Sequence, residues 1–175
     1  APDDAPYACT CATCTALGNT EKNATPAITE LIIRLSQRFP KHFFFTTSYL
    51  TTQQVTDKQL PSNTGVIVSA IDYPLRRTDG KDEQDKKFAA QLDNWKKVTN
   101  NIYIWDYINN FDDYLTPFPI LKIAQQRLQF FKQHGASGIF FNGSGYSYSS
   151  FDEMRTFVLS ALLINPELPV DELIK

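Results

Sequence analysis

Residues able to act on a polar, ring-bearing ligand collect just behind the apolar runs of this sequence. Trp105-Asp106-Tyr107 directly follows Ile102-Tyr103-Ile104, with no turn residue between. A carboxylate can move a proton or attack an electrophilic carbon, and rings on either side can stack on the C–H face of a sugar. The same mixture recurs. Tyr49 closes the run from His42, Asp72 and Tyr73 follow Gly65–Ile71, Asn109 lies just past Tyr107, and Asn142 with Gly143 ends the run from Gly138. Each has a plainer reading beside it. An Asp behind a strand often caps the next helix or turn, and most aromatic rings fill cores.

A second constellation is Cys9-x-Cys11-x-x-Cys14, with no fourth cysteine. Three thiolates could hold a structural zinc if a His or a carboxylate completed the set. The two histidines, His42 at a strand start and His134 at a helix end, are badly placed for that. A disulfide with one thiol left over, or a reduced cluster packing a loop, ranks ahead of metal. No other cofactor is expected, and no neighbouring His or helix N-terminus marks a nucleophilic cysteine. Gly143-Ser144-Gly145 lacks the Lys and the spacing of a phosphate loop, and no G-x-S-x-G elbow occurs. Ser144–Ser150, with Tyr146 and Tyr148, reads as a ligand-contacting loop, and the charges of Lys81–Lys87 as a solvated loop and helix start.

The elements that must position these residues can be read from periodicity. Thr25 as N-cap and Pro26 at the first helical position open a helix that carries Ile28, Leu31, Ile32, Leu35 and Phe39 at helical spacing and stops at Pro40. His42–Tyr49 is a strand. Leu50–Thr64 is polar, contains Pro61, and shows no helix. Gly65–Ile71 is a nearly continuous apolar, β-branched run, as in strands covered on both faces. A helix spans about Glu83–Val98 with Phe88, Leu92 and Trp95 on one side, and Asn101–Tyr107 is the third strand. A helix over about Ile120–His134 ends at Gly135 as its C′ residue. Gly138–Asn142 is the fourth strand, Phe151–Ile164 the last long helix, and a short piece follows Pro166. Strands separated by helices imply a parallel sheet with right-handed crossovers, whose ligands bind beyond the carboxyl ends of the strands.

Composition narrows the partners. The chain has 175 residues, 42% hydrophobic and 13% aromatic, with a formal charge of -2 spread in mixed sign. One domain is expected, and nothing suggests a nucleic-acid groove or an anionic membrane surface. No apolar run approaches the roughly 18 residues of a membrane span. The start, Ala1-Pro2-Asp3-Asp4, has neither the basic nor the apolar region of a signal peptide, so any export signal is expected outside this sequence.

The order of motifs resembles the family called domain of unknown function 4838, found mainly in secreted bacterial proteins and related at barrel level to glycoside hydrolases such as the α-glucuronidases. The segments that carry the resemblance are Pro2-Asp3-Asp4 ahead of the cysteines, then Ile104-Trp105-Asp106-Tyr107-x-Asn109-x-Phe111-x-x-Tyr114-Leu115-x-Pro117-Phe118-Pro119. Gly135-x-x-Gly138-Ile139-Phe140 and Leu162-Leu163-x-Asn165-Pro166 follow. The resemblance implies an α/β fold, the C-terminal half of a (β/α)₈ barrel with strands five to eight, in a secreted, periplasmic or surface protein. It also implies Asp4, with Asp3 as alternate, and Asp106 as the acid/base and nucleophile positions behind the fourth and seventh strands. Better-known enzymes carry Glu there. Trp105, Tyr107 and Tyr49 would be sugar platforms, and Asn109, Asn142 and Asp72 further substrate contacts.

Three functions fit these readings. A glycoside hydrolase requires a carboxylate pair roughly 5–5.5 Å apart for retention, or about 6.5–9.5 Å for inversion. A non-catalytic glycan-binding barrel requires the aromatics without the pair, and a purely structural domain requires neither. Half a barrel leaves parallel edges unpaired, so the remainder of a barrel, or a self-association partner, is expected beside carbohydrate.

Overall fold

A computed structural model of the chain describes residues 4–76, 80–143 and 149–175. In chain order the elements are α1 (Ala12–Ala16), α2 (Thr25–Arg38), β1 (Phe44–Ser48), a single 3₁₀ turn (Leu50–Thr52), β2 (Thr64–Ser69), α3 (Glu83–Lys96), β3 (Ile102–Tyr107), α4 (Leu121–Gln133), β4 (Gly138–Asn142), α5 (Asp152–Ile164) and α6 (Val170–Leu173). The four strands form one sheet in the order β1-β2-β3-β4, and every pairing is parallel. Sequential order separates this sheet from doubly wound folds, in which the strand order reverses at a switch point. It is the arrangement of one half of a (β/α)₈ barrel, with strand ends that all point the same way.

Alternation along the strands assigns the two faces. Val66, Val68, Ile102 and Ile104 are fully buried and pack with Phe88, Leu92, Trp95, Phe130 and Phe131 from α3 and α4. The other face carries Thr47, Ile67, Ser69, Tyr103, Trp105 and Phe140. Register places Thr47 beside Ile67, Ile67 beside Tyr103, Ser69 beside Trp105, and Trp105 beside Phe140. Phe43, Tyr103, Trp105 and Phe140 remain exposed on or near that face. Among the described residues no further strand pairs with the outer edge of β1 or β4.

Local rules explain most element boundaries. α4 ends in a Schellman motif: Gly135 has φ +85°, its amide bonds Lys132 O at 3.1 Å, and the Ala136 amide bonds Phe131 O at 3.0 Å. Asp82 caps α3 by accepting from the Gln84 and Asp85 amides, both at 2.9 Å. The expected N-cap at Thr25 is corrected by one residue. Ala24 is the N-cap, and Thr25 donates its hydroxyl to Gln54 O. The side chains of Asn23 and Asn19 accept the free amides of Thr25 and Ala27 instead. Between β1 and β2 the crossover contains only the 3₁₀ turn, in keeping with its polar sequence.

Gly65 is required by close approach. A Cβ there would meet Asn101 Cβ at 2.7 Å and the Asn101 carbonyl oxygen nearer still. Gly65→Ala is expected to cost about 1–3 kcal/mol of stability through this overpacking, read as a lowered urea midpoint.

Candidate functional site

Beyond the carboxyl ends of β1, β2 and β3 the open face forms a cleft of about 310 Å³ lined by Asp4, Thr47, Tyr49, Ile67, Ser69, Ile71, Trp105 and Tyr107. β1 ends at Ser48. Leu50 then turns the chain with φ +45°, a costly conformation for a side-chain-bearing residue, and Tyr49 is left at the rim. The Tyr49 hydroxyl donates to Asp4 Oδ1 at 2.9 Å. That bond raises the Tyr49 phenol above its ordinary range. Slight burial and the charges of Asp4 and Asp72 push it the same way. The Tyr107 phenol is also raised, first by burial and then by the charges of Asp106 and Asp4. Asp4, Tyr49, Asp72 and Tyr107 therefore share one electrostatic neighbourhood.

Trp105 is 37% exposed and meets Phe140 edge-on at a centroid distance of 5.0 Å, so one part of its surface is fixed and the rest faces the cleft. Asn142 pairs in register with Tyr107 and so lies beside it on the same face. Asp72, in the turn behind β2, is exposed and caps no helix, the cap of α3 being Asp82.

Two expected site residues point elsewhere. Asp106 alternates with Trp105 and Tyr107, faces the helices, and is 0% exposed. Its carboxylate accepts from Arg127 Nε at 2.7 Å and Arg127 Nη2 at 2.6 Å, and from the Tyr107 amide at 2.8 Å. Burial pushes this carboxyl up, and the guanidinium and amide pull it back. Asp4 and Asp106 thus stand on opposite faces of the sheet and do not form a converging pair. Asn109 is likewise buried, accepting from Arg155. Asp3, Tyr146 and Tyr148 lie outside the described residues.

Arg127 was not foreseen. It also donates to Pro74 O at 2.8 Å and lies 4.4 Å from the centroid of the Tyr73 ring. The Tyr73 hydroxyl donates to Asp85 Oδ1 at 2.6 Å, and Asp85, inside the charge run read as solvated, is fully buried. The turn carrying Asp72 is therefore clamped from below by charges on α3 and α4. A signal for this existed. Ala124, Arg127, Leu128 and Phe131 share one helical stripe, as do Asp85, Phe88, Leu92 and Trp95, and a charge on an apolar stripe needs a buried partner.

The cysteines do not line the cleft. All three are free thiols, Cys9 and Cys11 exposed and Cys14 partly so, and their Sγ atoms lie within 4.8 Å of one another. A larger cavity of about 540 Å³, between the Pro117–Lys122 segment, α5 and α6, is lined mainly by apolar side chains and lies off the strand ends. Among the described residues no helix is long and apolar enough to cross a membrane.

A sequential parallel α/β half-barrel with an aromatic, carboxylate-bearing cleft at its strand ends is the class of protein that fold and site define. The chain belongs to the family described as Domain of unknown function (DUF4838), which it matches over residues 1–175. No curated protein and no solved structure matches it.

Proposed function

We propose that the strand-end cleft binds carbohydrate and that the chain is a glycoside-hydrolase-like domain acting on a glycan or polysaccharide. The observation that carries this reading is the Tyr49–Asp4 hydrogen bond at 2.9 Å in a cleft also lined by the rings of Trp105 and Tyr107. Rings take the apolar face of a sugar, while an oriented carboxylate and Asn142 take its hydroxyls. Asp4 is the carboxylate of this wall able to act on a glycosidic bond. Tyr49 orients it, and Asp72 is the nearby second acid. The exposed inner face, with Phe43, Tyr103 and Phe140, supports a covering partner, either the remainder of a barrel or a second copy.

A non-catalytic glycan-binding role is the second reading, favoured by one observation: Asp106 is spent on Arg127. Release of reducing ends from a panel of soluble neutral and acidic polysaccharides separates the two. Hydrolysis that falls at least ~100-fold in Asp4→Asn, with binding retained, is the expected result. Binding with no turnover selects the second reading, and neither binding nor turnover on any glycan contradicts both.

A further inference from the structure

We propose that Cys9, Cys11 and Cys14 form a three-sulfur site for a thiophilic d¹⁰ metal ion, zinc in the first instance, with the fourth position left to water or an external ligand. The three Sγ atoms lie within 4.8 Å of one another. Zinc–sulfur bonds of about 2.3 Å in a tetrahedron place sulfurs roughly 3.8 Å apart, so small side-chain rotations close the set. A disulfide would use two of these sulfurs and leave the third without a role.

The backbone that carries the three cysteines is tied down by one residue. The loop is held on both sides, with Asn19 Nδ2 donating to Cys9 O at 3.1 Å and the Asn19 amide to Cys14 O at 3.0 Å.

The second observation is α1 itself. It has five residues, no side-chain cap and no buried residue, too little to be stable through propensity or packing. A metal bridging Cys11 and Cys14 across its first turn, and Cys9 ahead of it, supplies the missing folding energy. Asp4 lies on the same N-terminal segment, five residues before Cys9, so the ion would also limit the movement of the cleft carboxylate. The site does not depend on the carbohydrate reading.

The test is an anaerobic titration of the reduced protein with cadmium(II), reading sulfur-to-cadmium charge-transfer absorption, followed by competition with zinc and by alkylation and mass spectrometry. Saturation at one ion per chain, displacement by zinc, and three thiols shielded from alkylation are expected. Each of Cys9→Ser, Cys11→Ser and Cys14→Ser should weaken binding at least ~100-fold, with the metal-free circular dichroism unchanged because no sulfur belongs to the core. The absence of a saturable band would overturn the proposal. So would a single substitution that leaves affinity unaltered, or a disulfide between two of the three that persists in protein isolated with metal present.

Discussion

Arg127→Met should destabilise the protein by about 3–5 kcal/mol, because it leaves the Asp106 carboxylate buried at 0% exposure without its counter-charge. The arginine satisfies Asp106 through two nitrogens, donates to Pro74 O, and lies against the rings of Tyr73 and Phe131. Asp106→Asn should also be destabilising, since Arg127 then lacks its carboxylate. The double variant Arg127→Met/Asp106→Leu should recover much of the loss, since an apolar pair of similar volume avoids the desolvation of two charges. Urea denaturation of the wild type and the three variants measures this. If Asp106→Asn instead folded with wild-type stability but lost turnover, the assignment of Asp106 to the scaffold would fail.

Trp105→Ala should have the opposite profile: little change in stability and a loss of about 2 kcal/mol in glycan binding, roughly 30-fold in Kd. The ring is 37% exposed, and one edge contact to Phe140 does not anchor the core as Trp95 does. Trp95 is 1% exposed, packs with Leu92 and Val66, and donates its indole N–H to Ser48 Oγ at 3.0 Å. Trp95→Ala should therefore cost stability first. Isothermal titration with a glycan that binds the wild type, paired with thermal melts, separates the two tryptophans.

Much of the fold was legible because its signals are local. The apolar β-branched run at Gly65–Ile71, the Gly135 stop and the helical stripe of α3 mark their elements directly, and the polar Leu50–Thr64 segment forms no α-helix. The cap of α2 was misplaced by one residue because Asn23 and Asn19 reach it from earlier in the chain, and a local window favours the adjacent Thr25. At the site, Tyr49, Trp105 and Tyr107 could be read from strand ends, whereas the face of Asp106 depends on period-two alternation. Adjacent residues in a strand point oppositely, so a carboxylate between two cleft aromatics must turn away from them. Arg127, Arg155 and Asp85 were missed although each interrupts an apolar helical stripe. Their partners, Asp106, Ile108 O with Asn109, and Tyr73, are distant in sequence, and only the packed structure pairs them.

The central claim, that the strand-end cleft is a carbohydrate site, is most directly tested by tryptophan fluorescence. The protein has two tryptophans, one buried in the core and one in the cleft. Titration of the wild-type protein with a panel of soluble glycans should give a saturable change with at least one of them, and Trp105→Ala should abolish that change while Trp95 emission stays constant. A glycan that binds by calorimetry yet leaves Trp105 emission untouched, or binds Trp105→Ala as tightly as wild type, would contradict the account.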